Sequence, residues 1–466
     1  MGSARTLDAV RNFSKRGQIK RPRERAFEMI FSVEIERVGH RGVGIAHHRG
    51  KVIMVPLTAP GDRAEVRITR SHRTYDEAEL VKLQESSRAR RDPPCPYYGR
   101  CGGCQLQHFD LPHQRALKEM LFLEILTNKA GVSREGIKGI LATQEELGYR
   151  SSLGMHAAWD RGSLVGFTIR GGRDLVSVDR CLLALPALQP LFLDLPKIHQ
   201  KSRATGISRM EISCDSPGEA TNVVLWASGT LARRTRDVIT RLAPEVRGLR
   251  GAYLANRYGG NIQPLWSQEG SPKGVTYTIP GHRGPGDLLL ETWPGVFRQV
   301  NPSINRLLIA AALAWTEEGP HERILDLYSG MGNLALPMAF QAREVTAVEI
   351  NPLAVDNARC NAQRLGIDNV RWIQASAERA LQEVSAGGKT FDLVVLDPPR
   401  KGAREILEGI AALAPTRILY ISCDMATLSR DLRFLRHQSP YRVEKAQPLD
   451  MFPQTFHLES MTLLHR

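Results

Sequence analysis

From about residue 300 onward, short apolar runs alternate with segments of helical period, and no other feature of this chain constrains its fold as strongly. The strand candidates are Arg323–Leu327, Glu344–Glu349, Val370–Gln374, Leu393–Leu396 and Arg417–Ser422. Strands separated by helices cannot pair as hairpins, so they predict an α/β domain with a parallel, doubly wound, Rossmann-like sheet over residues 291–466. At 466 residues the chain is too long for one core, and the rest of it has a different texture. Residues 91–290 mix strand-like and loop segments with helical pieces near Gln114–Leu126, Leu185–Leu195 and Leu231–Leu242. They predict a middle α+β domain in which Pro190 kinks or breaks its helix.

Residues 31–90 read as a third unit. Phe31–Ile35, Lys51–Val55 and Ala64–Ile68 are strand-like, and Gly42, Gly44 and Pro60-Gly61-Asp62 turn the chain between them. About five short strands in this length predict a small β-barrel of the nucleic-acid-binding kind. Its later part is crowded with Arg63, Arg67, Arg70, Arg73 and Lys82. Residues 1–30 read as a basic flexible tail, in which residues 1–25 set Arg5, Arg11, Lys15, Arg16, Lys20, Arg21, Arg23 and Arg25 against Asp8 and Glu24. The whole chain carries a formal charge of +14. Such an excess favours a polyanionic partner, RNA or DNA. No run approaches the ~20 apolar residues of a membrane span, and nothing in the sequence demands a protein partner.

Arg323–Asp326, Leu-Tyr-Ser-Gly330-Met-Gly332 and the helix after Ala335 make a strand, a glycine loop and a helix. Glycines there let backbone approach a ligand, and Glu349, twenty-three residues after Asp326, ends the next strand where an acid can bind ribose hydroxyls. A dinucleotide would place its diphosphate over the helix N-terminus, where Asp326 repels it. An acid at that point suits a cationic amino-acid moiety, as in S-adenosylmethionine.

Asp397-Pro398-Pro399-Arg400 and Cys423 follow the strands Leu393–Leu396 and Arg417–Ser422. Prolines force a turn at that edge, so Gly330, Glu349, Asp397 and Cys423 gather at the carboxyl ends of parallel strands, where open α/β sheets bind ligands. If Phe456–Leu464 returns antiparallel, Glu459 joins them. A thiol there suits attack on carbon 6 of a pyrimidine, which makes carbon 5 nucleophilic towards a sulfonium methyl. Ser422 and Asp424 flank Cys423, where a buried structural thiol predicts apolar neighbours.

The motifs Phe297-Arg-Gln299-Val-Asn301-Pro302, Asp326–Asn333, Val348-Glu349-Ile-Asn351, Asp397–Arg400, Ser422-Cys423-Asp424 and Pro453–Glu459 resemble those of the RNA uracil-5 methyltransferase family, in its RlmD/RumA-like branch. The likeness covers nearly all of the chain after the tail, and residues 31–84 resemble a TRAM RNA-binding domain. The resemblance implies methylation of carbon 5 of a uridine in 23S rRNA, in the cytoplasm. Gln299, Tyr328, Gly330, Glu349 and Asp397 would line the S-adenosylmethionine and uracil pocket, with Cys423 as nucleophile and Glu459 as base. Ser376 departs from the amide or acid that other members carry. Rival readings are the same chemistry on a tRNA T-loop uridine, a binding-only RNA protein, and a cytosine-5 methyltransferase.

The chain has seven cysteines, too few for a disulfide framework. Cys95, Cys101 and Cys104 cluster, with Cys181 as a remote fourth. Four thiolates can hold zinc or an iron–sulfur cluster, and Gly102-Gly103 leaves room for something bulky. The family resemblance implies a [4Fe-4S] cluster.

Overall fold

The sheet expected at the C-terminal end forms, with the strand order Val370–Gln374, Ala342–Glu349, His321–Leu327, Leu393–Leu396, Arg417–Ser422, Glu459–His465, Arg442–Leu449. This computed structural model describes Met29–Arg466 except residues 160–161, 217, 257–258, 282–285 and 318–320. The expected basic tail therefore lies outside the described residues, apart from Met29 and Ile30. The first five strands of the sheet are parallel. Glu459–His465 returns antiparallel against Arg417–Ser422, and Arg442–Leu449 adds a further edge strand that sequence reading missed. Strand order reverses between His321–Leu327 and Leu393–Leu396, which opens the crevice typical of such sheets.

Asparagine, serine and aspartate start the helices at that edge. Asn351, Ser376 and Asp424 each follow a strand, and each side chain accepts backbone N–H groups of the next helix. Such a cap is worth about 1 kcal/mol. The strand Leu-Val-Val-Leu at 393–396 is buried throughout because both faces of the sheet are covered. Helices Pro302–Thr316 and Pro352–Leu365 cover one face. The other is covered by Ala377–Ala386, Leu407–Leu413, Met425–Gln438 and the earlier helix Leu111–Ile125, through Phe122 and the following Leu126.

The middle segment builds a second sheet in the order Gly259–Ser267, Leu249–Asn256, Thr221–Ala227, Ile207–Cys214, Ser152–Trp159, Ser163–Thr168, Leu175–Ser177. Helices Leu191–Ser202 and Arg233–Leu242 pack on it. Pro190 breaks the chain as expected, between a short turn at Pro186–Leu188 and the helix that begins at Leu191. That helix then runs through Pro196 to Ser202, beyond the expected end, because Leu191, Phe192, Leu195 and Ile198 form a buried stripe.

Residues 29–88 form a six-stranded sheet, ordered Ile30–Glu34, Arg63–Ser71, Tyr75–Glu85, Lys51–Pro56, Val43–His48, Arg37–Gly39. Of its five expected phosphate-facing cations, two are already engaged. Arg67 pairs with Glu79 at 2.5 Å and Arg63 with Glu85 at 3.4 Å. Among the described residues, Arg70, Arg73 and Lys82 are exposed and make no ion pair.

Candidate active site

The strand His321–Leu327 ends at Tyr328, which adopts a left-handed φ of 65°. Ser329 donates its N–H to Val348 O at 3.0 Å, which ties the turn to the neighbouring strand. Gly330 donates to Glu349 Oε2 at 3.0 Å, and Asn351 donates to Glu349 Oε1 at 2.8 Å. Glu349 thus holds the glycine loop as well as presenting an acid to the crevice. At Gly332, φ is 93° and a Cβ would sit 2.8 Å from Leu336 Cγ, so only glycine fits. Around Gly330 a Cβ would meet nothing within 4 Å, and the loop faces open space.

Asp326 lies beneath this loop, 1% exposed, and its Oδ2 has no hydrogen-bond partner. Burial, and then the charges of Asp397 and Glu349, hold its carboxyl well above the ordinary range. Asp326, Asp397 and Glu349 are near enough for their charges to act on one another, and negative charge so concentrated favours a cation over a phosphate.

The reactive half is set by the antiparallel pair. Ser422 stands opposite Ser460 at the end of that pair, and the next residues of the two chains, Cys423 and Glu459, are near enough for the carboxyl to act on the thiol. Glu459 is 2% exposed, with Oε1 unpartnered. Burial first, then Asp397, pushes its carboxyl well above the ordinary range, against the pull of Arg400. Burial raises Asp397 to about 7. The Cys423 thiol is pushed up to about 12 by burial, then by Glu459 and Asp397, with Arg400 opposing. Cys423 is half-buried, so a substrate can reach it. The polar flanks of Cys423 do local work instead of marking reactivity. Ser422 Oγ bonds to Asp424, whose carboxylate caps the next helix through Ala426 and Thr427 N–H at 3.0 and 2.9 Å.

Two residues were not singled out from sequence. Arg400 supplies the cation that opposes the rise at both Cys423 and Glu459. His457 is driven down to about 4 by burial and then by Arg400, Arg150 and Lys118, so its ring is neutral at pH 7. Both lie inside motifs already noted, Asp397–Arg400 and Pro453–Glu459, which was the available signal. Gln299 is half-buried on a segment pinned by bonds from Ser151 N to Val300 O and from Arg298 Nη2 to Ser151 O, both 2.9 Å. Among the described residues no hydrogen bond joins its side chain to the strand-end acids. Ser376 caps its helix by accepting Arg379 N–H at 3.3 Å.

The family model for tRNA (Uracil-5-)-methyltransferase matches residues 287–466, and that for the TRAM domain matches residues 30–81. A 23S rRNA (uracil(1939)-C(5))-methyltransferase RlmD of Pseudomonas putida is 37% identical over 439 residues, covering 92% of each chain. The chain belongs to the RNA uracil-C5 methyltransferase family. The RlmD of Alkalilimnicola ehrlichii is 34% identical, covering 96% of this chain and 99% of its own. The crystal structure of Pyrococcus abyssi tRNA (uracil-54, C5)-methyltransferase with S-adenosyl-L-homocysteine shares the fold. Its TM-score is 0.70 at 23% identity, covering 94% of this chain and 100% of that one.

In this methyltransferase Cys95, Cys101, Cys104 and Cys181 line one cavity of about 170 Å³, together with Tyr97, Tyr98 and Arg150. All four are free thiols. Burial, then the charges of Cys181 and Cys101, push Cys104 up to about 12, and burial also raises Cys101 and Cys181. Among the described residues no three Cys, His, Asp or Glu come close enough to ligate a single metal ion. Of the two glycines expected to leave room, Gly103 lines this cavity, where a Cβ would come 3.5 Å from Cys101 Sγ. Gly102 lets the loop pack on backbone, its N–H bonded to Thr168 O at 2.9 Å, and Gly103 donates to Cys101 Sγ at 3.4 Å. Also among the described residues, no helix is long and apolar enough to cross a membrane.

Proposed function

We propose that this methyltransferase transfers a methyl group from S-adenosylmethionine to carbon 5 of a uridine in 23S rRNA, the equivalent of the uridine named for its relatives. The observation that carries the mechanism is the placing of Cys423, one residue past the strand end at Ser422, where the carboxyls of Glu459 and Asp397 act on its thiol. Gln299, Tyr328, Gly330, Glu349 and Asp397 would hold the cofactor, and the acids among them favour its positive charges. The Cys423 sulfur bonds to carbon 6 as its proton passes to Asp397, the carboxyl held nearest neutrality. The carbon 5–carbon 6 π pair becomes an enolate. Carbon 5 then takes the sulfonium methyl, leaving S-adenosylhomocysteine. Glu459 removes the carbon 5 proton, the double bond re-forms, and the thiolate leaves. The high resting value of Cys423 keeps the thiol protonated until a substrate stands over it.

A tRNA T-loop substrate is supported by the family model over residues 287–466 and by the fold likeness, whereas the relatives that cover more than nine-tenths of the chain act on 23S rRNA. A cytosine-5 methyltransferase would need its thiol past Leu393–Leu396, where this chain has Asp397-Pro398-Pro399. Comparing 5-methyluridine in 23S rRNA and tRNA, with and without the gene, tests the assignment. Loss confined to tRNA would overturn it. An RNA-modifying role of this kind supports a cytoplasmic location.

We further propose that Cys95, Cys101, Cys104 and Cys181 hold a [4Fe-4S] cluster. Thiols arranged around a cavity, and not about one point, fit a cluster better than a zinc ion. When bound, it would cross-link the loop at 95–104 to the distant Cys181 and relieve the mutual repulsion of the thiolates.

A further inference from the structure

The segment that delivers Glu459 to the active site is held by the segment that carries the first three cysteines. Gln454 is the centre of that junction. It is fully buried and left-handed, with φ 70° in a residue that is not glycine. Its carbonyl accepts N–H bonds from Gln105 and Leu106, both at 3.0 Å, immediately after Cys104. Its own N–H donates to Gln114 Oε1 at 2.9 Å, and Gln114 Nε2 returns a bond to Gln454 Oε1 at 3.0 Å. Gln454 Nε2 donates to Glu146 O at 3.3 Å, and Arg91 Nη2 reaches Gln454 Oε1 at 3.4 Å. Every polar atom of Gln454 is therefore spent on residues 91–146.

Its neighbours are anchored in the same direction. Tyr149 OH donates to Pro453 O at 2.9 Å. Lys118, 2% exposed, pairs with the buried Asp450 at 2.6 Å and donates to Phe452 O at 3.0 Å. A surface loop has no reason to bury an ion pair and a strained glutamine. A loop whose next residues must hold a base steady does, because backbone strain persists only where the surroundings over-determine it.

We propose that Gln454 is a positioning residue for Glu459, and that through it the geometry of the cysteine loop sets the rate at which the covalent RNA adduct resolves. This rests on the role given to Glu459 above. Attack by Cys423 draws on a different strand end, so it should be spared.

The test follows single turnovers with S-adenosylmethionine and an RNA fragment, reading the covalent adduct on denaturing gels and released 5-methyluridine. Gln454→Ala should form adduct at nearly the wild-type rate and resolve it roughly 10- to 100-fold more slowly, as displacement of a catalytic group by about 1 Å does. Gln454→Gly keeps the left-handed backbone and the carbonyl and loses only the amide. It should stall in the same sense with a smaller drop in Tm, and it carries the test if the alanine variant does not fold. Cys104→Ser should lengthen the adduct lifetime likewise. A merely structural role would lower attack and resolution in the same proportion, and that result overturns the proposal. Glu459→Gln is run alongside. If it stalls and both Gln454 variants resolve normally, the inference alone falls. If Glu459→Gln does not stall, the role of the base falls, and this proposal with it.

Discussion

Cys423 and Cys104 are both pushed up to about 12, yet by different company. Burial leads in each case. At Cys423 the next contributors are the carboxyls of Glu459 and Asp397, groups that can take up and return protons. At Cys104 a hydrogen bond with Gln107 opposes the rise, and the charges that add to it are those of Cys181 and Cys101, thiols that share the same problem. A thiol among carboxyls is suited to a transient bond, because its proton has somewhere to go. A thiol among thiols is suited to a permanent ligand, because only a cationic centre removes the repulsion. Cys214 is a third case, also raised to about 12 by burial, but beside Arg298 and sealed in the core. The size of the shift does not distinguish chemistry from structure. The neighbours do.

The largest effect should come from removing the first thiol. Cys423→Ala should lower methyl transfer by on the order of 10⁴-fold or more and abolish the RNA adduct, with Tm almost unchanged. Normal turnover would overturn the contrast at once. Glu459→Gln should cost about 10²- to 10⁴-fold and accumulate an adduct only when S-adenosylmethionine is present. A 5-fluorouridine substrate should trap the wild-type enzyme at the same stage.

At the second thiol site the expected change is in composition and stability. Anaerobically purified enzyme should contain about four irons per chain. Cys181→Ser should lose them and lower Tm while S-adenosylmethionine binding, measured by calorimetry, persists. One zinc per chain in a colourless protein would refute the cluster.

A smaller effect concerns Asp397. Its folded value of about 7 lies above the ordinary 3.8, so the folded state holds a proton that the unfolded chain gives up. That contribution to stability is complete below about pH 4 and is lost as pH rises through 7. Cofactor-free enzyme should therefore lose Tm across this window, and Asp397→Asn should flatten the loss. The affinity for cationic S-adenosylmethionine should rise over the same range in the wild type only.

The smallest effect separates cations on the N-terminal sheet. Neutralising Arg70, Arg73 or Lys82 should each reduce the salt slope of RNA binding by up to about 1. Neutralising Arg63 or Arg67, already paired with Glu85 and Glu79, should change it less.

Much of the C-terminal domain was legible because the parallel strands are local apolar runs bounded by glycine, proline and capping residues. Val370–Gln374, Leu393–Leu396 and Arg417–Ser422 agree residue for residue with expectation. The edge strand Arg442–Leu449 escaped because its sequence, Arg-Val-Glu-Lys-Ala-Gln-Pro-Leu, carries charge and a proline. Its pairing is decided by the partner strand. Order in the middle sheet was equally hidden, since its neighbours are set by side-chain packing over long sequence separations.

By itself, then, the sequence determined which residues can do chemistry: a thiol, acids and glycines placed at strand ends, where backbone direction alone exposes them. It also marked four cysteines by type. Tertiary structure decided what surrounds each of them. It brought the Glu459 carboxyl within reach of Cys423, brought Cys181 to the cavity of Cys95, Cys101 and Cys104, and used Ser422 and Asp424 at a helix cap. It also made Gln454 the junction between the two thiol regions. The reason is physical: reactivity and ligation depend on burial and on charges close by in space, and those neighbours come from other segments, tens of residues away at the two thiols and 340 at the Gln454–Gln114 bond.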